Sequence, residues 1–172
     1  MRKYIPAIIT GVSSPLDDDR LTAVGLFLEA HAGLTALFQR TLAQTWQLPE
    51  QWFEVLLRLG RSPGGSLRMS DLAAQVGLSP SGLTRAVDRL ERAGLVQRAS
   101  CASDRRGAYA LVTDQGREVL EAALPRHLAD IEEHFTGVLS PDELSAFTGA
   151  LRKLRDHLNP AAAQLTERTA PQ

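Results

Sequence analysis

Apolar residues recur at helical spacing along most of the chain. Between Leu21 and Leu42 they recur every three or four residues, which predicts a long helix with one broad apolar face. A shorter pattern predicts a helix from about Pro49 to Leu59. Two more patterns predict helices from Thr113 to about Val138 and from Leu144 to Leu158, and Pro125 should kink the first of these unless it is two pieces. The chain is therefore predicted to be mainly helical.

Local signals mark where these helices begin and end. Asp17 to Asp19 form an acidic start for the first helix, and the segment from Trp46 to Leu48 ends it. Ser140 opens a capping-box sequence for the last helix, which Asn159-Pro160 stops. Arg61 to Gly65 is predicted to be a short loop within one domain.

The middle of the chain carries two short helical patterns joined by a tight turn. The first runs from Ser70 to Val76, with its serine as the capping residue and Gly77 as the stop. Ser79-Pro80 repeats the start signal, because proline at the first helical position lacks an N–H that would have no partner there. A second helix is predicted to follow, from there to about Ala93, with Gly94 as its stop.

This second helix has two unlike faces. Leu83, Val87 and Leu90 fall on one side at spacings of four and three, so that side is predicted to pack. The N-terminal end of the other side combines small polar residues with the long cation of Arg85. Small residues let a helix enter the major groove of DNA, where arginine forks two hydrogen bonds to a guanine edge. A recognition helix is predicted, although a solvent-facing helix has the same layout. The outward residues are Ser81, Arg85, Asp88 and Arg92.

Two extended segments, Leu95 to Arg98 and Ala108 to Val112, predict a β-hairpin after this helix. Their connection, SCASDRRG, is too polar for a core. Within this tip, Asp104 is placed to hold one of Arg105 and Arg106 while the other reaches outward. A cation on a hairpin beside a recognition helix can enter the minor groove of DNA. A solvated turn with an ordinary ion pair is the alternative.

These residues resemble the MarR family of bacterial winged helix-turn-helix regulators. The similarity covers roughly residues 21–158, and its most specific parts are SPSGLTR from Ser79 to Arg85 and the DRR of the hairpin, followed by LVTDQG. The resemblance implies a mainly α fold with a small β wing, in which a winged helix-turn-helix is joined to a helical dimerisation region. It also implies a homodimer on a palindromic operator in double-stranded DNA, with each wing arginine in a flanking minor groove.

The resemblance assigns roles to single residues. Arg106 is similar to the wing-tip arginine of the family and Asp104 to its acidic partner, while Ser81, Thr84 and Arg85 are similar to its groove-facing residues. The predicted DNA-binding residues are Ser79, Ser81, Gly82, Thr84, Arg85, Arg89, Asp104, Arg105 and Arg106.

Five segments are predicted along the chain. They are an N-terminal arm at 1–16, a dimerisation helix at 17–47, the winged DNA-binding lobe at 48–113, C-terminal dimerisation helices at 114–159 and a disordered tail at 160–172. The outer helices carry more apolar surface than the central lobe would cover, which favours a dimer over an enlarged monomeric core.

In this family the cleft between the dimerisation helices and the DNA-binding lobe often receives small aromatic anions. Phe27, His31, Trp52 and Phe53 are the candidates for such an effector cleft, with core packing as the alternative for most of them. The predicted function is therefore a sequence-specific DNA-binding transcriptional regulator, a repressor that a small ligand releases.

Charge is unevenly distributed along the chain, whose net charge is −1. The segment from Arg61 to Arg106 holds eight arginines against four acidic residues, so it carries about +4 while the remainder is acidic. This segregation suits a protein with one face toward phosphates. A winged-helix module that binds an acidic protein partner fits the same pattern and is the alternative.

Other chemistry has little support in the sequence. One cysteine excludes an intramolecular disulfide, and no nucleophile–base pair, phosphate loop or paired carboxylate motif suggests an enzyme or a cofactor. Cys101 leaves open an oxidant sensor, and a set of histidines and glutamates leaves open a metal sensor, although solvated surface histidines are favoured. The candidate metal ligands are His127, Glu132, Glu133, His134 and His157.

The membrane and export signals are weak. Residues 1–12 have a basic start but a short apolar run broken by Pro6 and no cleavage pattern, and no run is expected to reach the length of a membrane span. The prediction is a cytoplasmic protein with no membrane partner.

Overall fold

The computed structural model describes residues 14–101 and 104–160, and the side chains of residues 100, 101 and 104–107 lie outside that description. The predicted arm at 1–16 and tail at 160–172 therefore fall almost wholly outside the described residues, as does the side chain of Cys101.

Six helices account for most of the described chain, as the apolar spacing predicted. They are α1 (Asp19–Trp46), α2 (Glu50–Gly60), α3 (Met69–Val76), α4 (Pro80–Arg92), α5 (Asp114–His134) and α6 (Pro141–Leu158). Short 3-10 turns occupy Pro15–Asp17, Pro63–Gly65 and Thr136–Val138. A small antiparallel sheet contains β1 (Ser66–Arg68), β2 (Val96–Cys101) and β3 (Asp104–Val112), with β3 in the middle.

The chain divides into two compact units, residues 1–37 and residues 38–172. The described part of the first unit is the turn at Pro15–Asp17 and most of α1, on which Phe27 stacks against His31 with ring centroids 6.5 Å apart. The second unit contains the end of α1 and every later element.

The hydrophobic core of the second unit forms where α2, α3, α4 and the sheet meet. Its members are fully or almost fully removed from solvent, which is the largest favourable contribution to folding of the lobe. The largest of them are Leu42, Phe53, Leu56, Leu59, Leu72, Leu83 and Leu90.

The ends of three helices follow the capping signals. Ser79 accepts a hydrogen bond from the Gly82 N–H at the start of α4, and Thr113 accepts one from the Gly116 N–H at the start of α5. At α6 the side chains of Ser140 and Glu143 form the predicted capping box.

Two helix predictions need correction. Ser70 does not cap α3, because that helix already begins at Met69, and the Ser70 hydroxyl instead hydrogen-bonds to Asp71. The preceding strand β1 leads directly into α3, so pairing with β3 fixes the backbone there and no side-chain cap is present. Helix α5 is one piece with Pro125 inside it, and it ends at His134 rather than near Val138.

The sheet was only partly predicted. Strand β1 was missed within the polar stretch after Arg61, since three residues are too few to show an alternating pattern. The hairpin strands are longer than predicted, because β2 continues to Cys101 and β3 begins at Asp104. The supposed tip residues Asp104, Arg105 and Arg106 therefore belong to β3, next to the turn rather than in it.

Helix α1 corrects the expectation about membrane-length segments. It contains an 18-residue window that is long and apolar enough to cross a membrane by length and composition, and none of this window is buried within the chain. The prediction that no run reaches this length was wrong. The apolar residues continue along this 28-residue helix for longer than the sequence analysis expected.

Candidate nucleic-acid interface

A tight turn joins α3 and α4 and fixes the second helix against the first. Gly77 adopts the left-handed conformation with φ of 66°, and the Leu78 N–H donates to the Ala73 carbonyl at 3.0 Å. Ser79 and Pro80 then begin α4 as predicted. The geometry presents the N-terminal turn of α4 at the surface, with Ser79, Pro80 and Ser81 exposed.

Helix α4 separates its residues as the spacing predicted. Leu83, Ala86, Val87 and Leu90 are buried in the core. Arg85 and Arg89 lie on the other side, where they are exposed and make no ion pair with any residue in the described ranges 14–101 and 104–160. Two cations one turn apart on an exposed helix face suit a polyanionic surface.

The predicted groove-facing hydroxyls take part in the first turn of α4. The Thr84 hydroxyl donates to the Pro80 carbonyl at 2.9 Å, and the hydroxyl oxygens of Ser79 and Ser81 lie 3.3 Å apart. Gly82 sits beside them, where an added Cβ would lie 3.1 Å from Ser79 Oγ. These side chains are therefore held in place and keep lone pairs for a further partner.

The side chain of Asp88 is 39% exposed on α4, and a neighbouring strand also contacts it. Its carboxylate pairs with Arg98 of β2, at 2.5 Å between Oδ1 and Nη2. The same guanidinium donates to Glu91 Oε2 at 2.9 Å and to the Thr84 carbonyl at 3.3 Å. Sequence reasoning missed Arg98 and Glu91, because their contact joins a helix to a strand, and only the alternation of β2, which puts Arg98 on the face of buried Val96, hints at it.

The hairpin of β2 and β3, here called the wing, is supported at its base only. Ser66–Arg68 of β1 pair with Tyr109–Leu111 of β3, and the pairing of β2 with β3 continues beyond them to Cys101 and Asp104. At the base the Arg68 Nε donates to the Tyr109 hydroxyl at 2.9 Å. Arg105 and Arg106 lie on the unsupported part of β3.

The four residues predicted for an effector cleft fall into different environments. Phe53 is fully buried in the core, and Trp52 is partly buried against it. Phe27 and His31 are exposed on α1. The assignment of these residues to an effector cleft stays a prediction.

The environment of His127 differs from the one that the sequence analysis favoured for it. It is not a solvated surface histidine, since its ring lies edge-on between Phe38 and Phe53 with centroids 4.6 and 4.7 Å away. Burial lowers the pKa of His127 below its ordinary value, and Glu54, Asp130 and Glu50 oppose that effect. The neighbouring Asp130 is fully buried and pairs with Arg126 at 2.7 Å.

The residues considered for metal sensing do not form a site in the described part of the chain. Within residues 14–101 and 104–160, no three His, Cys, Asp or Glu side chains come together in a way that could hold a metal ion. His134 Nε2 lies 3.7 Å from Glu133 Oε1, and His157 is exposed on α6.

A short strand leads into two helices around a tight turn, and an extended hairpin that pairs with this strand follows them. This order of elements defines a winged helix-turn-helix. A sequence model of the MarR family matches residues 46–107. The transcriptional regulator HosA of Escherichia coli is 31% identical over 127 residues, which cover 70% of this chain and 90% of HosA. The HTH-type transcriptional regulator YkoM of Bacillus subtilis is 33% identical over 93 residues, and the match spans 54% of this chain and 60% of YkoM. The chain therefore belongs to the MarR family.

Solved structures agree with this assignment. AbsC, a MarR family transcriptional regulator from Streptomyces coelicolor, matches with a TM-score of 0.77 and 36% identity over 85% of this chain and 98% of AbsC. Sco3205, a MarR family regulator from the same organism, was solved in complex with DNA. It matches with a TM-score of 0.76 and 31% identity over 81% of this chain and 91% of Sco3205. The DNA binding of BpsR from Bordetella bronchiseptica is regulated by 6-hydroxynicotinic acid. BpsR matches with a TM-score of 0.67 and 25% identity over 78% of this chain and 99% of BpsR. Family and fold are those of transcriptional regulators.

Proposed function

We propose that this protein is a dimeric repressor that binds a palindromic operator in double-stranded DNA and is released by a small ligand. The observation that carries the proposal is the exposed face of α4, where Arg85 and Arg89 have no ion-pair partner among the described residues and the capped first turn presents Ser79 and Ser81. In this reading α4 lies in the major groove, and the wing reaches the adjacent minor groove.

A homodimer is part of the proposal because two helices carry apolar side chains that the single chain leaves exposed. On α1 they include Leu21, Val24, Phe27 and Leu28, and on α6 they include Leu154 and Leu158. Helix α6 has no buried residue among its 18, so a partner is needed to cover its apolar side chains. We assign the apolar surface of α1 and α6 to contacts between two copies of the chain, in the cytoplasm.

The proposed mechanism of release is a shift between two dimer populations. In one population the spacing between the recognition helices fits the operator, and in the other it does not. A ligand that binds the second population more tightly weakens operator binding, and the size of the effect is set by the difference between its affinities for the two. The regulation of BpsR by 6-hydroxynicotinic acid supports small aromatic anions as the first ligands to test.

The test is fluorescence anisotropy with DNA from upstream of the protein's own gene and with scrambled DNA, over a series of salt concentrations. Selective binding with a steep salt dependence is expected. Arg85→Ala should weaken operator binding by about tenfold or more, whereas Arg152→Ala, which removes an exposed arginine from α6, should not change it. No binding by the wild type even at low salt would favour the module for an acidic protein partner.

A further inference from the structure

We infer that Arg98 is the positioning residue that couples the recognition helix α4 to the wing, so that the two DNA-contacting elements act as one unit. The inference rests on the proposed DNA-binding function. It assigns Arg98 no contact with DNA and instead makes it responsible for the angle at which the wing leaves the lobe.

The contacts of Arg98 extend along two turns of α4. Its guanidinium reaches the Thr84 carbonyl at 3.3 Å, Asp88 at 2.5 Å and Glu91 at 2.9 Å. These three positions lie four and three residues apart, so they form one row on the helix. The Arg98 backbone N–H also donates to Glu91 Oε1 at 3.1 Å. Main chain and side chain of one wing residue are therefore both bound to the same helix.

The place of Arg98 on the hairpin gives this contact its importance. Arg98 lies opposite Ala110, within the part of β3 that β1 supports, and the strands continue beyond that support as a two-stranded ribbon. Such a ribbon has little stability of its own. Its direction is therefore set where it is anchored, and on the α4 side the polar anchor is Arg98.

The chemistry of the anchor requires arginine. A planar guanidinium with five donors can serve a carbonyl and two carboxylates at once, whereas a lysine ammonium is a point charge that cannot span all three. The three side chains are about one-third exposed, at 33% for Arg98, 39% for Asp88 and 40% for Glu91, so each ion pair alone is weak and the shared geometry is what counts.

The test is a double-mutant cycle measured by operator binding. The probe is a DNA duplex that the wild-type protein selects from a random-sequence library. The first arm removes both wing cations, Arg105→Ala with Arg106→Ala, and the second is Arg98→Ala. If Arg98 positions the wing, removing the wing cations should weaken operator binding by the wild-type protein about tenfold. The same substitutions in the Arg98→Ala background should weaken operator binding by a factor at least about three times smaller.

Arg92→Ala is the matched control in the same cycle. Arg92 lies near the end of α4, and its Nε donates to the Asp88 carbonyl within that helix. The substitution therefore removes an arginine from α4 and leaves the contacts of Arg98 in place. Its effect should multiply with that of the wing substitution. Arg98→Lys, which keeps the charge, should show most of the loss of coupling, and thermal unfolding of each variant verifies that it remains folded.

Each remaining result would overturn the inference. Equal losses from the wing substitution in wild-type and Arg98→Ala backgrounds would show that wing and helix act independently. Full rescue of Arg98→Ala by Asp88→Asn with Glu91→Gln would show that Arg98 only neutralises acidic groups near DNA. If the wild type enriches no sequence from the library, the proposed DNA-binding function itself fails, and the role of Arg98 fails with it.

Discussion

Gly116 shows how a single residue can fix the junction between the wing and a long helix. It lies in the first turn of α5, where a Cβ would come within 2.0 Å of the Leu95 carbonyl oxygen and within 3.0 Å of Val112 Cγ2. The Leu95 carbonyl is also the acceptor for the Thr113 N–H. The close approach of two backbone segments therefore allows no side chain at this position.

The substitution Gly116→Ala should destabilise the protein by about 1–3 kcal/mol or more, because the backbone of Leu95 cannot move without disturbing β2. Gly149→Ala is the matched control, since an added Cβ there meets nothing within 4 Å and α6 gains helix propensity of about 0.5–1 kcal/mol. Urea unfolding at constant m-value measures both. Equal stability of the two variants would contradict the close approach.

Three of the four predicted helix caps are present, and the exception is Ser70, where β1 leads directly into α3. Ser79, Thr113 and Ser140 each cap the helix that follows them, because a cap depends only on the next few residues. Arg98 and His127 were missed or misplaced, because their environments depend on elements distant in the sequence. His127 did carry a signal, since it continues the stripe Leu120–Ala123 at helical spacing.

At the scale of elements, Thr113 joins the wing, the end of α4 and the start of α5. Its hydroxyl donates to the Gly94 carbonyl at 2.6 Å and accepts from the Gly116 N–H at 3.0 Å. Gly94 follows α4 in the left-handed conformation with φ of 75°. One side chain therefore serves the end of one helix and the beginning of the next.

We expect Thr113→Val to lower the free energy of unfolding by about 1–2 kcal/mol, because it keeps the shape but loses both hydrogen bonds. Thr113→Ser keeps the hydroxyl and should lose far less. Thermal unfolding followed by circular dichroism compares the two. If serine and valine were equally destabilising, the methyl group rather than the hydroxyl would be the important part of Thr113.

The helices were predictable as elements, whereas the sheet was not. Most of the six helices span three or more turns, so their apolar spacing repeats and the pattern is redundant. Strand β1 has three residues and exists because Leu67 pairs with Ala110 of β3, more than forty residues later. The polar ends of β2 and β3 likewise continue as strand because each pairs with the other, which no local pattern reveals.

At the scale of the whole molecule, a dimer is expected to cover the apolar face of α1. Leu28→Glu places a carboxylate on that face at a position 57% exposed in the single chain. If two copies bury it, the unpaired charge should raise the dimer dissociation constant by more than about tenfold. Leu16→Glu is the control, because Leu16 is 83% exposed and precedes α1. Sedimentation velocity over a concentration series separates the outcomes, and an unchanged dimer in Leu28→Glu would remove α1 from the interface.

The pH dependence of the free energy of unfolding tests whether the buried ring of His127 is neutral in the folded protein. Burial between Phe38 and Phe53 lowers the pKa of His127 from 6.5, so the unfolded chain takes up its proton at a higher pH than the folded chain does. The contribution of His127 is therefore fully present above about pH 6.5 and is lost as the pH falls toward the folded-state pKa.

His127→Gln should consequently differ from the wild type in the slope of unfolding free energy against pH within this window, where the wild type should lose stability more steeply. Other groups that titrate there act equally in both proteins, so the difference between the two urea-unfolding profiles isolates the ring. His157→Gln is the matched control, because it makes the same substitution at an exposed position on α6. A His127→Gln profile parallel to that of the wild type would mean that solvent reaches the ring on protonation, and that the contacts with Phe38 and Phe53 do not keep it neutral.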